Sequence, residues 1–105
     1  MTARERLPNR RASETLELTV AGLGYTCTVS RYADGRIAEI FLTNHKSNSA
    51  ADVGARDAAI AFSFAVQHGA DAEAIRLALC RDSRGGANGP LGQALDLLTD
   101  GERGP

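Results

Sequence analysis

From Ser13 to Ala21 apolar and polar residues alternate, with Leu16, Leu18 and Val20 on one face and Glu17 and Thr19 on the other, as in a half-buried strand. Residues 22–24, Gly-Leu-Gly, supply a turn. The alternation then resumes over Tyr25–Ser30, with Tyr25, Cys27 and Val29 inward and Thr26, Thr28 and Ser30 outward. Asp34-Gly35 is a hairpin signal, because a type I′ turn needs positive φ, and it joins this second strand to a third over Arg36–Thr43. In that third strand Ala38, Ile40 and Leu42 face the core, while Ile37 and Phe41 sit on the opposite face beside Glu39. Either a loop or the N-terminal arm covers Phe41, or Ile37 and Phe41 are contacts for a partner.

The pattern changes period after the polar loop Asn44–Asn48. Ala58–Val66 fits both a period of two and a helical period, but Ala is the best helix former, Ser49–Asp52 has capping-box form and His68-Gly69 resembles a helical stop. The spacing predicts one long helix over Ala50–His68. Val53, Ile60, Ala61, Phe64 and Ala65 form one apolar stripe, and Ala58, Phe62 and Val66 a second, so the helix is expected to meet both the sheet and another helix. Asp71 then caps a short helix, with Glu73 in its first turn and Ile75, Leu77, Leu79 and Cys80 apolar, ending near Arg81. A Gly-rich loop, Arg81–Gly89, leads to Pro90 at the first position of a last helix with Leu91, Ala94, Leu95 and Leu98 at helical spacing. The fold class is α+β: a three-stranded antiparallel meander on a long central helix, followed by two shorter helices.

At 105 residues this is one domain, with a flexible basic arm at 1–12, an ordered body at 13–99 and a flexible tail at 100–105. No segment reaches the roughly 18 apolar residues of a membrane span, and the N-terminus lacks the apolar core of a secretory signal, so a cytoplasmic location is expected. Cys27 and Cys80 belong to no Cys-x-x-Cys or Cys/His cluster, which reads as two free buried thiols rather than a disulfide or zinc site. The net charge of -1 gives no general attraction for nucleic acid, which is not expected as a partner, although Arg4, Arg6, Arg10 and Arg11 make the arm locally basic.

Taken together, residues 25–29 (Tyr-Thr-Cys-Thr-Val), 34–42 (Asp-Gly-Arg-Ile-Ala-Glu-Ile-Phe-Leu), 46–49 (Lys-Ser-Asn-Ser) and the long helix closing in His68-Gly69 resemble the TSCPD domain. Residues 69–79 fit that family's next helix, and the resemblance runs from about Glu14 to Leu98. It implies a domain known as a C-terminal appendage of cobalamin-dependent ribonucleotide reductases and as small standalone reductase-like proteins. One departure matters: where Thr-Ser-Cys-Pro-Asp should precede the last helix, residues 88–92 read Asn-Gly-Pro-Leu-Gly, and only the proline survives. A cysteine-based metal or thiol role therefore does not carry over. The resemblance implies an accessory or regulatory module of deoxynucleotide and DNA biosynthesis, contacting ribonucleotide reductase, with no catalytic residue, metal ligand or cofactor of its own; cobalamin would belong to the partner.

An alternative reading is a nucleotide- or nucleic-acid-binding module. His45, Lys46, Ser47, Asn48 and Ser49 precede a helix N-terminus whose free N–H groups could hold phosphate, and Arg81 and Arg84 flank a second Gly-rich loop. The plain structural account of both is a solvated loop, with Ser49 as the cap. His45 and His68 have neither metal-site partners nor a neighbouring nucleophile, and His68 suits the carbonyl end of its helix. Asp57 lies on the first apolar stripe, so it is either a functional carboxylate or the partner of a buried arginine such as Arg76 or Arg81, and the ion pair is the plainer account. A homo-oligomer is also open on this reading.

Overall fold

The computed structural model describes residues 3–7 and 12–103, without the side chains of 100–103. Strands β1 (Ser13–Val20), β2 (Leu23–Arg31) and β3 (Ile37–Asn44) form one antiparallel sheet in the order β1-β2-β3, followed by helices α1 (Ala50–Gln67), α2 (Ala72–Ala78) and α3 (Pro90–Arg103). The expected α+β meander on a central helix is what forms. The last helix continues to Arg103, into the stretch read as a tail, and residues 1, 2 and 8–11 of the basic arm lie outside the described residues.

Both hairpins differ from the expected turns. Val20 pairs with Leu23, so Leu23 and Gly24 already belong to β2 and the turn is Ala21-Gly22, both at positive φ (52° and 78°). A two-residue loop with this handedness matches the twist of the flanking strands, but alanine seldom adopts it and gave no signal. At the second hairpin only Gly35 has positive φ (94°), and its N–H donates to the Tyr32 carbonyl at 2.9 Å. The turn is therefore centred on Ala33 and Asp34 and followed by a left-handed glycine, rather than being type I′. The Asp34 carboxylate accepts from the Arg36 N–H at 3.0 Å and from its guanidinium at 2.7 Å.

One face of the sheet is covered, by α1 along β3 and by α3 along β1. Cys27, Val29, Ile40 and Leu42 from the sheet meet Phe62 of α1 and Leu95 of α3 in a continuous buried core. Burial pushes the Cys27 thiol up to about 11, with Glu14 adding to it, so this sulfur stays protonated. Cys80, by contrast, is exposed, against the expectation of two buried thiols. The short α2 ends at Ala78 rather than near Arg81, and Leu77, read as a packing position, is exposed.

The largest correction concerns α1. Ala55, Ala59, Phe62 and Val66 turn inward, whereas Val53, Ile60 and Phe64 of the first predicted stripe are 47%, 51% and 51% exposed. The reason is polar. β3 is an edge strand, and an unpaired edge leaves N–H and C=O groups that must be satisfied. Ser63 Oγ accepts from the Ile40 N–H at 2.9 Å and donates to the Ile40 carbonyl at 3.1 Å. Gln67 Nε2 donates to the Ala38 carbonyl at 2.9 Å, and the Asn44 N–H donates to Asp52 Oδ1 at 2.9 Å. Asp52, Ser63 and Gln67 thus close the edge of the sheet, and this rotates the first apolar stripe to the outside.

Candidate functional site

The loop between β3 and α1 is built around Asp52. Ser49 is the N-cap, accepting from the Asp52 N–H at 3.1 Å, and its hydroxyl donates to the Lys46 carbonyl at 2.7 Å. Asn48 takes a left-handed φ of 61° and turns its N–H to Asp52 Oδ2 at 3.0 Å, while Lys46 N–H donates to Asn44 Oδ1 at 2.9 Å. Hydrogen bonds from the Asn48 and Asn44 amides, with Arg56 3.7 Å away, hold the Asp52 carboxyl below its usual range. The chain's own carboxylate sits among the amides that an external phosphate would use. Ser47 and the Lys46 side chain are exposed to solvent.

The second Gly-rich loop has the same construction. Asp82 Oδ1 accepts from the Arg84 and Gly86 N–H groups, each at 2.9 Å, and Arg81 pairs with Ala87 to close the loop. Arg81 does not project into solvent: it donates to Asp96 Oδ1 at 2.8 Å and Oδ2 at 2.9 Å. Arg76 reaches the same Asp96 at 2.9 Å and also pairs with Glu73. The Arg81 bonds, with those of Arg76, lower the Asp96 carboxyl to about 2. This fork ties α2 and the loop to α3. Asp57, expected as the acid for these arginines, is instead exposed on the outer face of α1.

His45, in the loop after β3, lies beside the open face of the sheet. Its Nε2 is 3.1 Å from Glu17 Oε2 and 3.3 Å from Thr26 Oγ1, and Thr26 donates to Glu17 at 3.1 Å. The ring lies over Gly24, where a Cβ would come within 2.5 Å of Nδ1, so this approach requires glycine. All three groups meet at one ring nitrogen in solvent, which lacks the two-ended hydrogen bonding of a nucleophile–histidine–acid relay. His68 is the C-cap of α1, its Nδ1 2.8 Å from the Phe64 carbonyl. No group of three or more metal-ligating side chains occurs among the described residues.

Phe41 projects from the open sheet face, 54% exposed and uncovered among the described residues. Ile37, expected beside it, packs against the core instead, because the register shift between Ser30 and Arg31 places two β3 residues opposite one β2 residue. Ile37 lines a groove of about 1160 Å³ together with Leu16, Val66, Leu98 and Arg76, and Phe41, residues 45–49, Arg81 and Arg84 do not line it. The apolar line Val53, Ile60 and Phe64 on α1 is the larger exposed feature, with the Arg4 guanidinium 5.1 Å from the Phe64 ring centroid. Residues 3–7 reach this end of α1 through the Glu5 N–H, bonded to the Gln67 carbonyl, and through Arg4 Nε, which donates to Gln67 Oε1, while the Tyr32 hydroxyl in the β2–β3 hairpin donates to the Glu5 carbonyl at 2.7 Å.

Seventy residues of the chain, 67% of it, are 40% identical to a segment of the vitamin B12-dependent ribonucleotide reductase of Agrobacterium fabrum. A 69-residue stretch is 36% identical to the enzyme of the same name from Bradyrhizobium diazoefficiens. About two thirds of the chain is thus related to a small region of these reductases. In both cases the match spans 6% of the reductase's length. No protein-family model matches the chain, and no solved structure matches it significantly.

Proposed function

We propose that this domain is a TSCPD-like accessory or regulatory module that works by docking on a cobalamin-dependent ribonucleotide reductase, in the service of deoxynucleotide supply. The observation that carries the reading is the 40% identity over 70 residues to a segment making up 6% of such a reductase. Cys27 agrees with a role in contact rather than turnover, being a protonated thiol closed within the core. Cobalamin and the nucleotide substrate belong on this reading to the reductase, and the location is cytoplasmic. Among the described residues no helix is long and apolar enough to cross a membrane. Gel filtration of the chain with the reductase of the same organism tests the proposal. Co-elution with a change in reductase activity is expected; separate elution with unchanged activity would refute it.

The nucleotide-binding alternative rests on Lys46, Arg84 and the two loops. An entering phosphate would have to displace Asp52 or Asp82 from the loop amides. Nothing in the geometry favours that exchange, and a melting temperature unmoved by nucleotides is the expected result.

A further inference from the structure

The outer face of α1 combines features that match a copy of itself. At about 3.6 residues per turn, Val53, Asp57, Ile60, Ala61, Phe64 and His68 fall along one side of the helix, the side away from the sheet. Four of these are apolar, on a helix whose opposite face is already buried, and an amphipathic helix does not ordinarily carry a second apolar line into water. The charges are ordered as well. Asp57 stands in mid-helix with no ion-pair partner among the described residues, whereas the far end gathers His68 and Arg4, whose guanidinium lies over Phe64. The His68 ring donates its Nδ1–H to the Phe64 carbonyl, which leaves Nε2 facing outward, a donor to an outside carboxylate when the ring is the imidazolium.

We propose that two copies of the chain associate through this face in an antiparallel, two-fold α1–α1 contact. With the axis level with the midpoint between residues 62 and 63, Asp57 of each copy comes opposite His68 of the other, near its Arg4. Phe64 then comes opposite Ala61, so a large side chain meets a small one, and Ile60 is covered on both copies. Acid and base separated by eleven residues, roughly 16 Å along the axis, can satisfy each other only when the second helix runs the opposite way. A patch limited to one helix face is small, so the dimer forms in the micromolar range or weaker. This inference is independent of the reductase reading: either can fail while the other stands.

Sedimentation velocity on the full chain from low micromolar to near-millimolar concentration tests it. The expected result is a monomer–dimer equilibrium that Ile60→Glu weakens by roughly tenfold or more, with the melting temperature retained because Ile60 is half-exposed and lies outside the core cluster. In a Cys80→Ser background, Ala61→Cys is expected to cross-link the dimer on mild oxidation and Ala50→Cys is not. A chain that stays monomeric throughout, or a dimer indifferent to Ile60→Glu, would overturn the proposal. So would a monomeric chain in which Ile60→Glu abolishes only co-elution with the reductase, since the face would then belong to that contact.

Discussion

Asp96 serves two arginines at once, and its side chain and theirs are only 14–27% exposed, so its loss leaves Arg76 with Glu73 alone and Arg81 with backbone carbonyls but no carboxylate. Asp96→Asn should cost about 2 kcal/mol, between the values of a surface pair and a buried one, measured by urea denaturation. Because its carboxyl falls from 3.8 to about 2 on folding, its stabilisation is complete above the unfolded value and is lost as pH falls through the folded one. The unfolding free energy of the parent should therefore drop between about pH 4 and 2 more steeply than that of Asp96→Asn, with Asp52 contributing in the same direction in both. Asp57 has none of this role, and Asp57→Asn should leave monomer stability within about 0.5 kcal/mol, with no coupling to Arg76 in a double-mutant cycle. Sequence spacing could place Asp57 on a helix but could not say which side of that helix faced inward. Asp96, on the last helix, gave no local sign that two distant arginines would converge on it. His45 shows the same limit: its partners Glu17 and Thr26 come from β1 and β2, and Gly24, over which its ring lies, reads in the sequence as part of a turn.

Among the elements, the three strands were legible because a period of two survives even where the turn chemistry is misread. The hairpin at Ala21-Gly22 was missed by one residue without disturbing the inward set Leu18, Tyr25, Cys27 and Val29. The long helix was legible in extent and cap. Its orientation was not, because summing apolar residues favours the line through Ile60 and Phe64, while the decisive demand comes from the open edge of β3. Ser63→Ala removes the partner of both Ile40 backbone groups and should cost about 1–3 kcal/mol, with faster amide exchange at Ile40 as the specific readout. Losing only the cap, Ser49→Ala should cost about 1 kcal/mol and leave the Ile40 amide protected. Comparable protection at Ile40 in parent and Ser63→Ala would contradict the edge-closing role of α1.

At the scale of the whole molecule, the sheet presents one face to two helices and, among the described residues, leaves the other, with Phe41, open, while α1 carries a second apolar line away from the core. A domain that leaves this much apolar surface in water, and commits its loop amides to its own carboxylates, is better equipped to meet proteins than to hold small anions. That balance, with the relation to a short segment of B12-dependent reductases, supports the proposal that the domain acts by contact while the chemistry stays with a reductase. Ribonucleotide turnover by the purified reductase of the same organism, measured with adenosylcobalamin and increasing amounts of this chain, tests that claim most directly. The account predicts a saturable change in turnover and none at all from the chain alone. Turnover by the isolated chain, or reductase turnover that stays flat at every concentration of it, would contradict the account.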